Sequence, residues 1–161
     1  MHLRKEAQTP TLLTAIGEQP FFEGLSQQHL QTLADCATRT LFVPGQIILR
    51  QGDPANRFYL IENGEAVVEL NSKDGKPIVI QTLGPGRELG WSWVLSPYFE
   101  HFTVRSLTEL KAIFFYGTFL RAKCEEDHDL GHEVMKRMAG VMGHRIEATS
   151  QRLLEFHGKQ S

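Results

Sequence analysis

Histidine and cysteine are the side chains best suited to ligate a metal or act as a nucleophile, and here their spacing supports neither role. The seven histidines (2, 29, 101, 128, 132, 144 and 157) include no His-x-His pair on adjacent strand positions, the arrangement a metal-dependent β-barrel enzyme needs. Cys36 and Cys124 lie far apart and match no metal or redox spacing. Phosphate-loop and Gly-x-Ser-x-Gly patterns are absent. The expectation is a chain that is not an enzyme, holds no metal and needs no cofactor. One segment does concentrate ligand-type chemistry: Trp91, Ser92, Trp93, Tyr98, Phe99, Glu100, His101 and Phe102 crowd a single short run. Such aromatics either fill a core, because they bury large areas well, or line a pocket for a flat, apolar ligand. In the second case Ser92, Glu100 and His101 are the polar handles, since small-molecule sites are mostly apolar with a few polar groups.

The elements around that run fall into three zones. Leu12, Leu13 and Ile16 mark a short helix, and Leu30, Leu33 and Ala34 a second one capped by Ser26. From Thr38 to Tyr116 the chain becomes short strand-like runs broken at Pro44-Gly45, Gly52-Asp53, Asn63-Gly64, Asp74-Gly75 and Pro85-Gly86. Asn-Gly and Asp-Gly between apolar runs signal tight hairpins, and many short strands with regular turns imply a sandwich, barrel or roll. After Tyr116 the pattern turns helical, with a short helix over Thr118–Glu125 and a long one from Leu130 to Phe156, for which Asp127 or Asp129 is placed as the cap.

The long helix carries two apolar stripes. Val134, Met138, Val141 and Ala148 form one; Met135, Ala139, Met142, Ile146, Thr149 and Leu153 form the other. A helix apolar on two sides calls for two partners, here its own β-domain and the same helix of a second copy in coiled-coil fashion. A single wide face buried within a monomer is the alternative. Gly140 and Gly143 weaken the isolated helix by roughly 1 kcal/mol each.

Composition narrows the setting. The chain has 161 residues, 41% of them apolar and 22% charged, the balance of one globular domain. A formal net charge of −2 and a pI near 6.4 argue against a nucleic-acid partner. The longest apolar stretch, Ala112–Tyr116, is far too short to span a membrane, and two free cysteines without a leader sequence suit a cytoplasmic protein. Residues 1–10 are polar and expected to fray.

The order of elements, with Gly45, Gly52, Gly64, Gly86 and Gly90 at the turns, resembles the cyclic-nucleotide-binding domain of catabolite-activator-type regulators. Matching segments are Pro44-Gly45-Gln46, Gln51-Gly52-Asp53, Phe58-Tyr59-Leu60-Ile61 before Gly64-Glu65-Ala66, and Leu83-Gly84-Pro85-Gly86. The likeness implies an α+β fold: a jelly-roll-like β-roll over about 38–116, N-terminal helices, and C-terminal helices over about 117–156 with the last one dimerising. It also implies that Leu89–His101 is the phosphate-binding cassette, a short helix whose amides receive a cyclic phosphate, and that Thr149-Ser150 stands where a purine base is contacted. Ligand-site candidates on this reading are Gly90, Trp91, Ser92, Trp93, Glu100, His101, Phe102, Thr103, Thr149 and Ser150.

The cassette departs from the family pattern. Gly-Glu should open it, the Glu accepting from the ribose hydroxyl; here Gly90 is followed by Trp91, whose indole only donates. An arginine should close it. Counting back from Val104-Arg105 puts Glu100 in that place, and counting forward from Gly90 puts His101 there. Arg105 or Arg87 could substitute from nearby. A charge-assisted bond to phosphate contributes about 1.5–3 kcal/mol, and a carboxylate at about 4 Å repels it by up to about 4 kcal/mol at an effective dielectric of 20. The expected function is a regulatory small-molecule sensor that binds cAMP and cGMP weakly or not at all. A ligand-free dimeric scaffold acting on a protein partner and a genuine cyclic-nucleotide binder are the alternatives. Regulators of this kind continue into a helix-turn-helix domain, for which the few residues after Phe156 leave no room; the chain is then either a stand-alone sensor or a fragment, and as given it is not expected to bind DNA.

Overall fold

The computed structural model describes residues 11–158; the expectation of a frayed 1–10 lies outside that range. Helix α1 (Leu12–Glu18) is capped by Thr11, whose hydroxyl accepts from the Thr14 N–H at 3.2 Å. Helix α2 (Gln27–Asp35) is capped by Ser26, as expected, through the His29 N–H at 3.1 Å. The strands are β1 (Thr38–Phe42), β2 (Ile47–Leu49), β3 (Arg57–Asn63), β4 (Ala66–Asn71), β5 (Pro77–Leu83), β6 (Glu88–Leu89), β7 (Thr103–Ser106) and β8 (Leu110–Tyr116). They form two antiparallel four-stranded sheets, ordered β1-β8-β3-β6 and β2-β7-β4-β5. The two-residue β6 is too short to show a period in the sequence.

Gly64, in the turn between β3 and β4, has φ of +97°, and a Cβ there would lie 2.3 Å from the Glu109 carbonyl oxygen. Its missing side chain lets that hairpin lie directly on the entry to β8. One apolar cluster fills the roll, with Ile48, Leu49, Tyr59, Ile61, Val68, Leu83 and Val104 among its members. A second lies beneath the helices and includes Ile16, Phe22, Phe58, Trp93, Phe115, Leu130, Val134 and Met138.

Helix α3 (Gly117–Glu126) is followed by α4 (His128–Gly158), 31 residues long. Of the two candidate caps, Asp127 takes the role: its Oδ1 accepts from the Leu130 N–H at 3.1 Å and its Oδ2 meets His29 Nε2 at 3.1 Å. The N–H bond and the facing histidine hold the Asp127 carboxyl below its ordinary range. The first stripe of α4 packs inward, with Val134, Met138 and Val141 buried and Ala148 partly so. The second divides. Met135 and Met142 pack partly against the core, whereas Ile146 and Leu153 are 66% and 68% exposed.

Candidate functional site

Cavities flank the Leu89–His101 segment on both sides. The segment holds a single three-residue turn, Ser92–Val94, in place of the short helix that was expected. The Ser92 side chain is drawn across to its far end, its Oγ lying 2.8 Å from His101 Nδ1 and 3.3 Å from the His101 N–H. So short a turn has no ladder of aligned amides to present to an anion.

The first cavity, of about 520 Å³, opens between this segment and α4. Trp91, His101 and Phe102 line it from the roll; Met142, Arg145, Ile146, Thr149 and Ser150 line it from the helix. Trp91 and His101 stack with ring centroids 4.6 Å apart and planes inclined by 19°, so the wall they form is flat. The Arg145 guanidinium stands 5.1 Å from the centre of the Phe102 ring and its Nε donates to Gln81 Oε1 at 3.2 Å. Arg145 is 5% exposed. Burial pulls it down to about 10, an effect opposed by the negative field of Glu88. The Thr149 hydroxyl donates to the Arg145 carbonyl at 2.7 Å and keeps its lone pairs for a guest.

The second cavity, of about 470 Å³, lies on the other side of the segment and is polar. Arg50, Asp53, Asn56, Arg57, Glu100 and Tyr116 line it, over an apolar floor of Ile48 and Leu49. Glu100 is 6% exposed, and its Oε1 is buried without a hydrogen-bond partner. Desolvation pushes its carboxyl up to about 7, against the pull of Arg57 and Arg145 and with a contribution from Asp53.

The ten candidate residues therefore separate. Trp91, His101, Phe102, Thr149 and Ser150 come together around the first cavity. Ser92, 1% exposed, stands behind them and orients His101. Glu100, set beside His101 in the sequence reading, borders the other cavity. Trp93 is fully buried in the cluster beneath the helices, where a Cβ on Gly117 would lie 2.7 Å from its own Cβ. Thr103 is buried in β7, its hydroxyl accepting from the Gln51 N–H at 3.1 Å. Gly90 borders neither cavity; its φ is +91° and a Cβ would lie 2.6 Å from the Arg57 carbonyl oxygen.

Neither proposed substitute cation reaches the first cavity. Arg105 pairs with Glu69 at 3.0 Å and Arg87 with Glu88 at 3.6 Å. The cation that does line it, Arg145, was missed by sequence reasoning. Its signal is the apolar stripe itself: Arg145 falls between Val141 and Ala148 in the row that begins Val134, Met138.

Residues 39–127, just over half of the chain, match the family model of the cyclic nucleotide-binding domain. The chain is 38% identical over 105 residues to a cAMP-dependent protein kinase regulatory subunit of Schizosaccharomyces pombe, covering 65% of this chain and 24% of that protein. It spans about a quarter or less of the first curated relatives it matches. Among solved structures, a cyclic nucleotide-binding domain from Methylobacillus flagellatus superposes with a TM-score of 0.75 at 17% identity, covering 90% of this chain and 82% of that one. The regulatory subunit of a cAMP-independent protein kinase A from Trypanosoma cruzi, bound to guanosine, superposes at 0.66 with 23% identity, covering 80% and 44%. Both structural likenesses are likenesses of fold.

Proposed function

Because this chain belongs to the cyclic nucleotide-binding domain family, we propose that it is a regulatory, non-catalytic ligand sensor whose first cavity takes a planar, phosphate-free guest of nucleoside size and disfavours cAMP and cGMP. The observation that carries this reading is the cassette's closing end. It holds no cation, and its buried carboxyl, Glu100, shares an electric field with Arg145. A cyclic phosphate entering here loses a charge-assisted bond of about 1.5–3 kcal/mol. Arg145 does not offset that loss, since Glu88 and Glu100 already face its charge. A difference of about 4 kcal/mol separates micromolar from millimolar binding.

A flat guest gains from the same walls. The stacked Trp91 and His101 present a ring face, Phe102 carries the Arg145 guanidinium, and Thr149 and Ser150 offer hydroxyls at the α4 side. The guanosine named with the Trypanosoma cruzi structure is a guest of this kind, a purine nucleoside without phosphate. Binding on α4 shifts the position of that helix relative to the roll, and a partner protein reads the shift.

Calorimetric titration with guanosine, adenosine, cAMP and cGMP tests the reading. A nucleoside is expected to bind at least about tenfold more tightly than its cyclic monophosphate. Cyclic AMP binding tighter than about 10 μM overturns the account of the cassette. If neither nucleosides nor cyclic nucleotides bind, the ligand-free scaffold becomes the better reading, and the bare α4 residues Ile146, Leu153, Leu154 and Phe156 favour it.

A further inference from the structure

The second cavity is lined by charges of both signs that form no ion pair with one another. Arg50 and Arg57 are guanidiniums at its exposed rim; Asp53 is an exposed carboxylate, and Glu100 is a buried one. None of the four forms an ion pair among the described residues, although Arg39, Arg87, Arg105, Arg137 and Arg152 each find a carboxylate within 4.0 Å. Glu100 is the most telling of the four. A buried carboxyl oxygen without a hydrogen bond is costly, and the residue that carries this one lines the cavity.

The backbone around the cavity is built to hold this geometry. The Gly52 N–H donates to the Glu100 carbonyl at 2.8 Å, the Glu100 N–H donates to the Asp53 carbonyl at 2.8 Å, and the Ala55 N–H donates to the Tyr98 carbonyl at 2.7 Å. The loop bearing Arg50 and Asp53 is thus tied to the segment bearing Glu100. Asn56 is held in turn, its Oδ1 accepting from the Thr118 N–H at 2.8 Å. The backbone that carries the residues around Glu100 is therefore tied together.

We propose that this cavity is a second ligand site, distinct from the first, that takes a small zwitterion of the free amino acid class, its ammonium on Glu100 and Asp53 and its carboxylate on Arg50 and Arg57. A guest with charge of one sign leaves two of the four groups unmatched, and a guest with both signs matches all of them. The Ile48 and Leu49 floor accepts an apolar side chain. Glu100 must be ionised to hold the ammonium. The charged and titratable groups around it are Arg50, Asp53, Arg57, Tyr59 and Tyr116 on the cavity side and Arg145 from α4. Affinity is accordingly expected to rise by about tenfold between pH 6 and pH 8, as the carboxyl gives up its proton.

The experiment is a titration of the full chain with the common free L-amino acids at both pH values, with sodium acetate and ammonium chloride as single-charge controls. At least one amino acid should bind with one-to-one stoichiometry while the controls do not. Glu100→Gln should weaken that binding by at least about tenfold and remove its pH dependence, and Arg57→Ala should weaken it comparably. Each variant's thermal melting reports whether it folds; if Glu100→Gln does not, the rim variants Arg50→Ala and Arg57→Ala decide alone. The proposal is overturned if no amino acid binds at millimolar concentration, if acetate binds as well as the amino acids, or if folded variants bind undiminished. None of these substitutions lines the first cavity, and nucleoside titration of the rim variants Arg50→Ala and Arg57→Ala separates a failure here from a failure there.

Discussion

Glu100 is a buried carboxyl in the segment that the family resemblance makes the phosphate-binding cassette. Its carboxyl is pushed up to about 7 from an ordinary value of 4.5, chiefly by burial. The folded state therefore holds a proton that the unfolded chain has released. Stability from this group is full below about pH 4.5 and falls as pH rises, reaching its floor above about 7. The folded state is then carrying a buried charge at a cost of about 3 kcal/mol. Glu100→Gln removes the titration, so the variant should match the parent near pH 4.5 and exceed it at pH 8 by up to that amount. Urea unfolding at the two pH values checks this, and a variant less stable at pH 8 would contradict the assigned cause. Arg145 offers a second test in the first cavity. Arg145→Met keeps the volume and removes the donors, so it should weaken nucleoside binding by about 1.5–3 kcal/mol, the worth of a hydrogen bond to a charged group, with little change in melting temperature.

Among the elements, the β6 end and α4 carry the most specific expectations. Gly90 follows β6 with φ of +91° and meets the Arg57 carbonyl of β3. Gly90→Ala combines a left-handed backbone with a backbone collision, and should destabilise the fold by about 2 kcal/mol or more. Denaturant melts measure that loss. Helix α4 runs past the roll with Ile146, Leu153 and Leu154 exposed on its distal half. If α4 pairs with a second copy, as the two-stripe pattern leads one to expect, these residues would form the apolar seam of the helix pair. The Cβ positions of Gly140 and Gly143 face open space, where a partner helix could approach closely. The double substitution Ile146→Asp, Leu153→Asp should convert a dimer to a monomer in light scattering. A parent chain that is already monomeric at high micromolar concentration removes the premise.

For the whole molecule, the two cavities flank one short segment and are joined by the field of Glu100, which Arg57 and Arg145 both feel. A guest that binds the folded state alone must stabilise it, by about 2.7 kcal/mol at a hundredfold excess over its Kd. A melting-temperature rise with guanosine is therefore expected, and it should be larger than the rise with cAMP at equal concentration. No helix among the described residues is long and apolar enough to cross a membrane, and no group of three or more His, Cys, Asp or Glu among them could hold a metal ion.

The sequence alone determined the local frame, because local physics is written in local residues. Ser26 as a helix cap, Asn63-Gly64 and Asp74-Gly75 as turns, and the Val134, Met138, Val141 stripe as a buried face all follow from groups a few positions apart. The aromatic crowding at Trp91 to Phe102 marked a segment that two cavities flank. Only the tertiary structure decided which side of that segment each residue serves. Trp93 and Trp91 are two positions apart in one run, yet Gly117 makes room for the first in the core while the second stacks on His101 at a cavity wall. Glu100 and His101 are adjacent and border different cavities. Arg145 enters the first cavity from more than forty positions away, on an element whose placement depends on packing against the roll. Burial, the field at a carboxyl and the closure of a cavity are sums over residues remote in the chain, and no spacing within a single run contains them.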